Sequence, residues 1–167
     1  LNSAVLVRDA QPGELAEIGE LRVAAYLADG FLSPTSEYAP TLRALGMAGE
    51  GDILVAVADG RIAGTVMLQP AEYAGPVVEK PDEAEIRALA VVPAARGLGT
   101  GRALLAAVIA RAAQRGVPHL VLCTQIDMRA AQYLYEKAGF RRLAARDWSP
   151  APGVTLLAYG LVLPSGD

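Results

Sequence analysis

The sequence predicts an α/β (α+β) domain with a central mixed, mostly antiparallel sheet flanked by helices. Three observations carry this. Short strand-like runs alternate with long stretches of helical period. An Asp59-Gly60 pair between two apolar runs marks a hairpin. A strand–loop–helix–strand unit over 84–125 implies a right-handed crossover if its strands are parallel neighbours. The 167 residues suit one domain, read here as 1–167, with a real core. With 53% hydrophobic and 20% charged residues, the chain is not of disordered composition.

Each element has its own signal. "VLVRDA" (5–10) reads as a first strand, and 12–29 as a helix. Pro12 suits its first turn, and Glu14 and Glu17 suit its positive end. Leu15, Ile18, Leu21 and Ala25 share one face. Residues 30–51 carry no clear period beyond "TLRAL" (41–45) as a short helix. The hairpin occupies 53–69, a loop 70–83 and a strand 84–92, stopped by Pro93. A helix over 98–116 shows Leu104, Leu105, Val108 and Ile109 as its stripe, with Gly116 as a stop. A strand is expected at 119–125 and a helix at 128–139 with Gly139 at C′. Two more strands, 140–148 and 154–163, flank a "SPAPG" turn.

Composition narrows function. One cysteine, Cys123, permits no intrachain disulfide and fits a reducing, cytoplasmic setting. Its place in "LVLCTQ" reads as a small buried apolar residue. One histidine, His119, reads as structural, and no Cys/His or Asp/Glu grouping has metal-ligand spacing. No apolar run approaches the ~20 residues of a membrane span, and the opening residues lack a leader pattern. Net charge of −3 argues against nucleic acid as a partner. Yet residues 87–126 contain five arginines and no acid, a +5 island in a chain that is −8 elsewhere.

Inside that island lies "RGLGTG" (96–101), where glycine alternates with other residues just before a helix. The first N–H groups of a helix lack internal partners and carry partial positive charge, so an anion is the natural guest. Glycine lets its oxygens reach the backbone. Arg102 in the first turn opposes the dipole unless an anion joins it. No Lys-Ser or Lys-Thr pair supports a P-loop, and the spacing is not the dinucleotide GxGxxG. The stretch does satisfy the acyl-coenzyme A pattern Arg/Gln-x-x-Gly-x-Gly/Ala.

With its flanks, the stretch resembles the GNAT superfamily of N-acetyltransferases. "AEIRALAVVPAARGLGTGRALL" (84–105) is similar to that family's central strand, loop and helix, and "AQYLYEKAGF" (131–140) to its later helix. The resemblance implies a GNAT-like fold, acetyl-coenzyme A as co-substrate, no metal, and acetyl transfer by direct attack of a small-molecule or peptide primary amine. It implies that Leu89, Ala90 and Val91 offer backbone groups to the pantetheine arm. Arg96, Gly97, Leu98, Gly99, Thr100, Gly101 and Arg102 would form the pyrophosphate loop. Tyr135 would protonate the departing thiolate, and Glu85 matches the position of a general base in some members. One departure is Met128, where many members carry asparagine, with Asp127 one place earlier.

Alternatives stand beside these roles. A pair with Arg87 on the same strand face is the other reading of Glu85. Glu83, Asp82 and Glu72 are other candidate bases. Tyr26, Phe31, Tyr38 and Tyr73, with Trp148, are the aromatic candidates for the acceptor pocket. The first 86 residues are −9, which suits a cationic amine. The apolar final strands offer a surface for a homodimer. A non-catalytic acyl-coenzyme A sensor or regulatory module is the alternative to an enzyme.

Overall fold

The computed structural model describes residues 4–164; the first three residues, part of the stretch read for a leader, and the last three lie outside it. The elements are β1 (Leu6–Asp9), α1 (Leu15–Ala28), α2 (Ala39–Ala44), β2 (Asp52–Ala58), β3 (Arg61–Pro70) and β4 (Ala84–Val91). They continue with α3 (Thr100–Gln114), β5 (His119–Gln125), α4 (Arg129–Lys137), β6 (Arg141–Arg142), β7 (Trp148–Ala151) and β8 (Val154–Val162). Eight strands form a mixed sheet of order β1-β2-β3-β4-β5-β8-β6, with β7 also pairing β8. The chain divides into two compact units: one runs up to Met67 and includes Ala88–Val108; the other holds Leu68–Arg87 and everything from Ile109.

In the first unit, β1 runs antiparallel to β2, from Leu6 opposite Val57 to Asp9 opposite Leu54. The β2–β3 turn has Asp59 at φ 52° and Gly60 at φ 73°, the left-handed pair that a two-residue hairpin requires. Glu14 does more than face a helix dipole. Its carboxylate accepts the Gln11 N–H at 2.8 Å and grips Arg8 through two bonds of 2.8 and 2.9 Å, tying β1 to the helix start. Helix α1 buries Ile18, Val23 and Ala25. Ile18 and Val23 join Leu32, Leu42, Leu45, Ile53, Val55 and Met67 in the main core. The stretch 30–51, which lacked a period, still supplies three of these residues. Gly19 lets α2 come close, since a Cβ there would lie 2.3 Å from the Arg43 carbonyl oxygen. Arg22 is buried, and its Nη1 donates to the carbonyls of Leu42 (3.2 Å) and Leu45 (2.7 Å). These carbonyls end α2, where a cation is favoured.

In the second unit, β4 and β5 are parallel over three residue pairs: Ala84–Leu120, Glu85–Val121 and Ile86–Leu122. The other edge of β5 pairs fully with β8, from His119 opposite Val162 to Gln125 opposite Leu156. Strands β6 and β7 then pair β8 on its far edge, so the apolar final strand is flanked on both sides. Val77, Val121 and Ala158 form the core on one face.

The expected strand 140–148 is broken. Arg141 and Arg142 pair with β8, a single 3-10 turn spans Ala144–Arg146, and pairing with β8 resumes at Trp148 in β7. Long-range partners cause this. Arg146 reaches the Val77 carbonyl at 3.1 Å and Glu83 at 2.9 Å. Asp147 accepts the Ala158 N–H at 2.8 Å and binds Arg142. The "SPAPG" turn is shorter than expected too, because Ser149–Ala151 belong to β7 and only Pro152-Gly153 turn.

Candidate functional site

The first unit holds the glycine loop. Pro93–Ala95 make one 3-10 turn, and Arg96–Gly99 run exposed into α3. Gly97 and Gly99 sit at φ 75° and 80°, a conformation that side-chain-bearing residues rarely adopt. A Cβ on either would meet nothing within 4 Å, so the protein itself does not crowd them. The Gly99 carbonyl accepts the Ala103 N–H at 2.9 Å, which makes Gly99 the cap residue of α3. The N–H groups of Thr100, Gly101 and Arg102 therefore fall in the turn that lacks intrahelical acceptors. The loop's open face and α3's N-terminus fit a diphosphate.

Side chains in this stretch divide. Leu98 is 63% exposed, and Arg102 is exposed in the first turn of α3. Thr100 is buried, with its hydroxyl donating to the Ala95 carbonyl at 3.2 Å, so only its backbone faces outward chemistry. Arg96 forms an ion pair with Asp29 and donates to the Val91 carbonyl through Nη2 at 3.1 Å. It braces the loop against the end of α1. Upstream, Ala90 is buried while Leu89 and Val91 are half-buried. Ala88 takes φ 55°, unusual for a residue with a Cβ, and comes two positions after the last β4–β5 pair. Sequence reasoning missed Gly64. A Cβ on it would lie 2.8 Å from the Ala90 oxygen and 2.9 Å from Leu104, so this point of β3, beside β4 and against α3, has no room for a side chain.

The second unit holds both candidate acid–base groups. Glu85 is 6% exposed, and its Oε1 accepts the Gly75 N–H at 2.8 Å. Burial pushes its carboxyl above the usual range, against the pull of that N–H and of the Arg87 charge. Arg87 Nη1 donates to Gln69 Oε1 at 3.3 Å, and its charge also acts on Glu85.

Glu83, considered as a base, is fully engaged elsewhere. Its side chain is 0% exposed. Oε1 accepts the N–H groups of Glu79 (2.8 Å) and Lys80 (3.0 Å) and Nη1 of Arg146 (2.9 Å). Oε2 accepts Nδ1–H of His119 at 2.5 Å. Burial alone would raise its pKa, but these four donors hold it down at about 2. His119 is thus structural. Asp82 and Glu72 lie on the 70–83 loop, where Asp82 is exposed and Glu72 is within the 3-10 turn Ala71–Tyr73.

Tyr135 is buried near the end of α4 and fixed by two rings, Phe140 at 5.8 Å and Tyr159 at 6.2 Å between centroids. Its backbone is fixed as well. The Phe140 N–H donates to the Tyr135 carbonyl and the Gly139 N–H to the Glu136 carbonyl, with Gly139 at φ 100°. This is a Schellman end, its ring contact joining C3 and C″. Tyr159 Oη donates to Glu136 at 3.1 Å. Tyr133, by contrast, is 61% exposed under the Lys137 ammonium. Strand alternation places Glu85, Val121 and Gly160 in one row and Leu122 and Tyr159 in the next, pointing to the opposite face. Glu85 and the Tyr135 cluster thus flank β5 from its two faces.

The aromatic acceptor candidates are spread out. Tyr26 packs on the core of the first unit and accepts the Phe31 N–H through its carbonyl at 2.9 Å; Tyr38 is 43% exposed. Tyr73 is 52% exposed in the second unit. Trp148 donates to Cys123 Sγ at 3.4 Å, a role the sequence did not suggest. Cys123 is half-buried, and burial pushes its thiol up to about 11. Among the described residues no group of three or more His, Cys, Asp or Glu is placed to hold a metal ion. Nor, among the described residues, is any helix long and apolar enough to cross a membrane.

A glycine loop thus feeds a helix N-terminus after a strand that turns at Ala88. The acetyltransferase (GNAT) family model matches residues 15–140, and the chain belongs to that family. It is 37% identical over 116 residues to a mycothiol acetyltransferase of Cellulomonas flavigena, covering 66% of this chain and 32% of that protein. A mycothiol acetyltransferase of Paenarthrobacter aurescens is 34% identical over 93 residues, covering 56% and 28%. The chain thus spans about a third of the length of these relatives. Among solved structures, yncA of Salmonella typhimurium with its cofactor acetyl-CoA has a TM-score of 0.73 at 21% identity, covering 99% of this chain and 97% of that one. The ribosomal-protein-S18-alanine N-acetyltransferase of Escherichia coli also gives 0.73 at 21%, covering 98% and 97%. These likenesses are of fold.

Proposed function

We propose that residues 1–167 act as one acetyl-coenzyme A-dependent N-acetyltransferase domain, transferring acetyl to a primary amine of a small molecule or peptide. The observation that carries this is the pair of left-handed, uncrowded glycines at the start of α3 in a chain of this family. The relatives named as mycothiol acetyltransferases and the fold neighbour that binds acetyl-CoA support the donor. A single thiol fits a cytoplasmic setting, and a second copy of the chain remains part of the reading.

In this reading Gly97, Gly99 and the first N–H groups of α3 hold the diphosphate, with Arg102 adding charge. Arg96 acts through the loop, since Asp29 holds its guanidinium. The backbone of Leu89–Val91 follows the kink at Ala88 and faces the pantetheine arm. An arriving ammonium gives one proton to Glu85, whose raised pKa suits a base. The neutral nitrogen attacks the thioester carbon, backbone N–H groups of Leu89–Val91 receive the negative oxygen, and the C–S bond breaks. Tyr135 supplies a proton to the departing thiolate from the other face of β5, and the second proton lost by the attacking nitrogen restores the phenol through solvent. The products are the amide, the free thiol and one proton, with no covalent enzyme intermediate.

The test is donor binding by calorimetry. Gly99→Val places a β-branched side chain at φ 80°. Acetyl-coenzyme A affinity is expected to fall tenfold or more, from the roughly 1–3 kcal/mol cost of such a backbone. Unchanged affinity in a folded variant would remove the loop assignment.

A further inference from the structure

Glu85 stands two residues beyond Glu83, and one loop serves both. The loop gives Glu83 the N–H groups of Glu79 and Lys80, and gives Glu85 the N–H of Gly75. Arg146 closes the arrangement: its Nη1 donates to Glu83 and to the Val77 carbonyl, and its Nε pairs with Glu79 at 3.2 Å. His119, at the start of β5, holds the remaining Glu83 oxygen. Val77 is 1% exposed in the apolar cluster below. So the segment from Gly75 to Glu83 is pinned at Val77, Glu79, Lys80 and Glu83. Gly75 is the end of that pinned segment nearest the carboxylate that matters.

Gly75 also leaves room. A Cβ there would sit 3.5 Å from Glu85 Oε1 and 3.9 Å from Oε2. Such a methyl fits, but it would cover the carboxylate on the side from which the loop N–H reaches it. The bare residue keeps this side of Glu85 open.

We propose that Gly75 is a positioning residue for Glu85, and that the buried Glu83–Arg146–His119 cluster holds the loop which presents it. The Gly75 N–H orients the carboxylate and favours its charged form; Glu83 keeps the N–H within bonding distance. The other titratable groups facing Glu85 are Arg87 on its own strand and Cys123 on β5. The cluster's own carboxylate titrates near 2 and stays charged through the working range. This inference rests on Glu85 being the base.

The experiment follows the Gly75 amide by ¹⁵N–¹H NMR against pH, beside the pH profile of kcat/KM for thiol release. In the wild-type chain, the amide shift and the acidic limb are expected to share one midpoint. Glu83→Gln keeps the shape but loses the charge that gathers Arg146 and His119. Both midpoints are expected to move up by about one pH unit, because a weakened bond to the ionised carboxylate raises its pKa. Gly75→Ala, which needs no refolding of the cluster, is expected to raise KM for the amine more than it lowers kcat. Glu85→Gln separates the two ideas. If it leaves the acidic limb in place, the base assignment fails. If it abolishes the limb while Glu83→Gln and Gly75→Ala leave midpoint and KM unmoved, the positioning role fails and the base stands.

Discussion

Glu83 and Glu85 share a strand approach, a residue type and near-complete burial, yet their surroundings make them opposite in behaviour. Glu83 meets four donors and is held at about 2. Glu85 meets one loop N–H, and burial wins over it and the Arg87 charge, raising its pKa. Burial alone therefore does not make a base. The number of donors around the carboxylate decides, and here two positions of sequence separate a permanent anion from a group that can exchange a proton.

The largest expected effect lies at Glu85. Glu85→Gln should lower kcat/KM in a thiol-release assay by roughly 10²–10⁴-fold, the range of a lost general base. The same variant should leave the denaturation midpoint unchanged or raised. A carboxyl whose folded pKa is above its unfolded value weakens folding as pH rises between them, and glutamine removes that penalty. A stability loss with activity intact would reverse the two roles.

Glu83→Gln should do the reverse. Breaking a buried ionic cluster costs about 3 kcal/mol in urea unfolding at neutral pH. The folded pKa of Glu83 is about 2 against an ordinary 4.5. Its stabilisation is thus complete above about 4.5 and lost as pH falls toward 2. The gap between wild type and variant should close over that window. A gap that persists at pH 2 would mean that packing, not charge, holds the cluster.

The smallest effect is at Cys123. Burial is the main cause of its thiol pKa of about 11, and the Glu85 charge adds to it against the pull of Trp148. Neutralising Glu85 should speed iodoacetamide labelling at pH 9 roughly two- to threefold, read by mass spectrometry of the folded chain. Equal rates would place Glu85's charge outside the reach of β5.

Much of this fold is legible locally. Asp59-Gly60 requires the left-handed turn it forms, and Gly139 ends α4 in the conformation only glycine takes readily. The glycine loop was legible for the same reason: φ near 80° leaves a mark on residue choice. What stayed hidden depends on partners far along the chain. Glu83 looks like any loop acid until His119 and Arg146 arrive, 36 and 63 residues away. The broken strand at 140–148 shares this origin in part: Arg146 answers to Val77 and Glu83, while Asp147 answers to Ala158 as well as to nearby Arg142. Gly64 carries no φ signature; its need for bareness comes from Ala90 and Leu104 pressing against it.

Main chain rests on main chain where Gly19 meets Arg43. A six-residue helix is too short to hold its shape alone, and this seam splints it to the fourteen-residue α1. Tyr26 near the end of the long partner and Tyr38 at the entry to the short one thus share a stiff mount. Substitutions on this corner therefore change its side-chain surface without loosening a hinge.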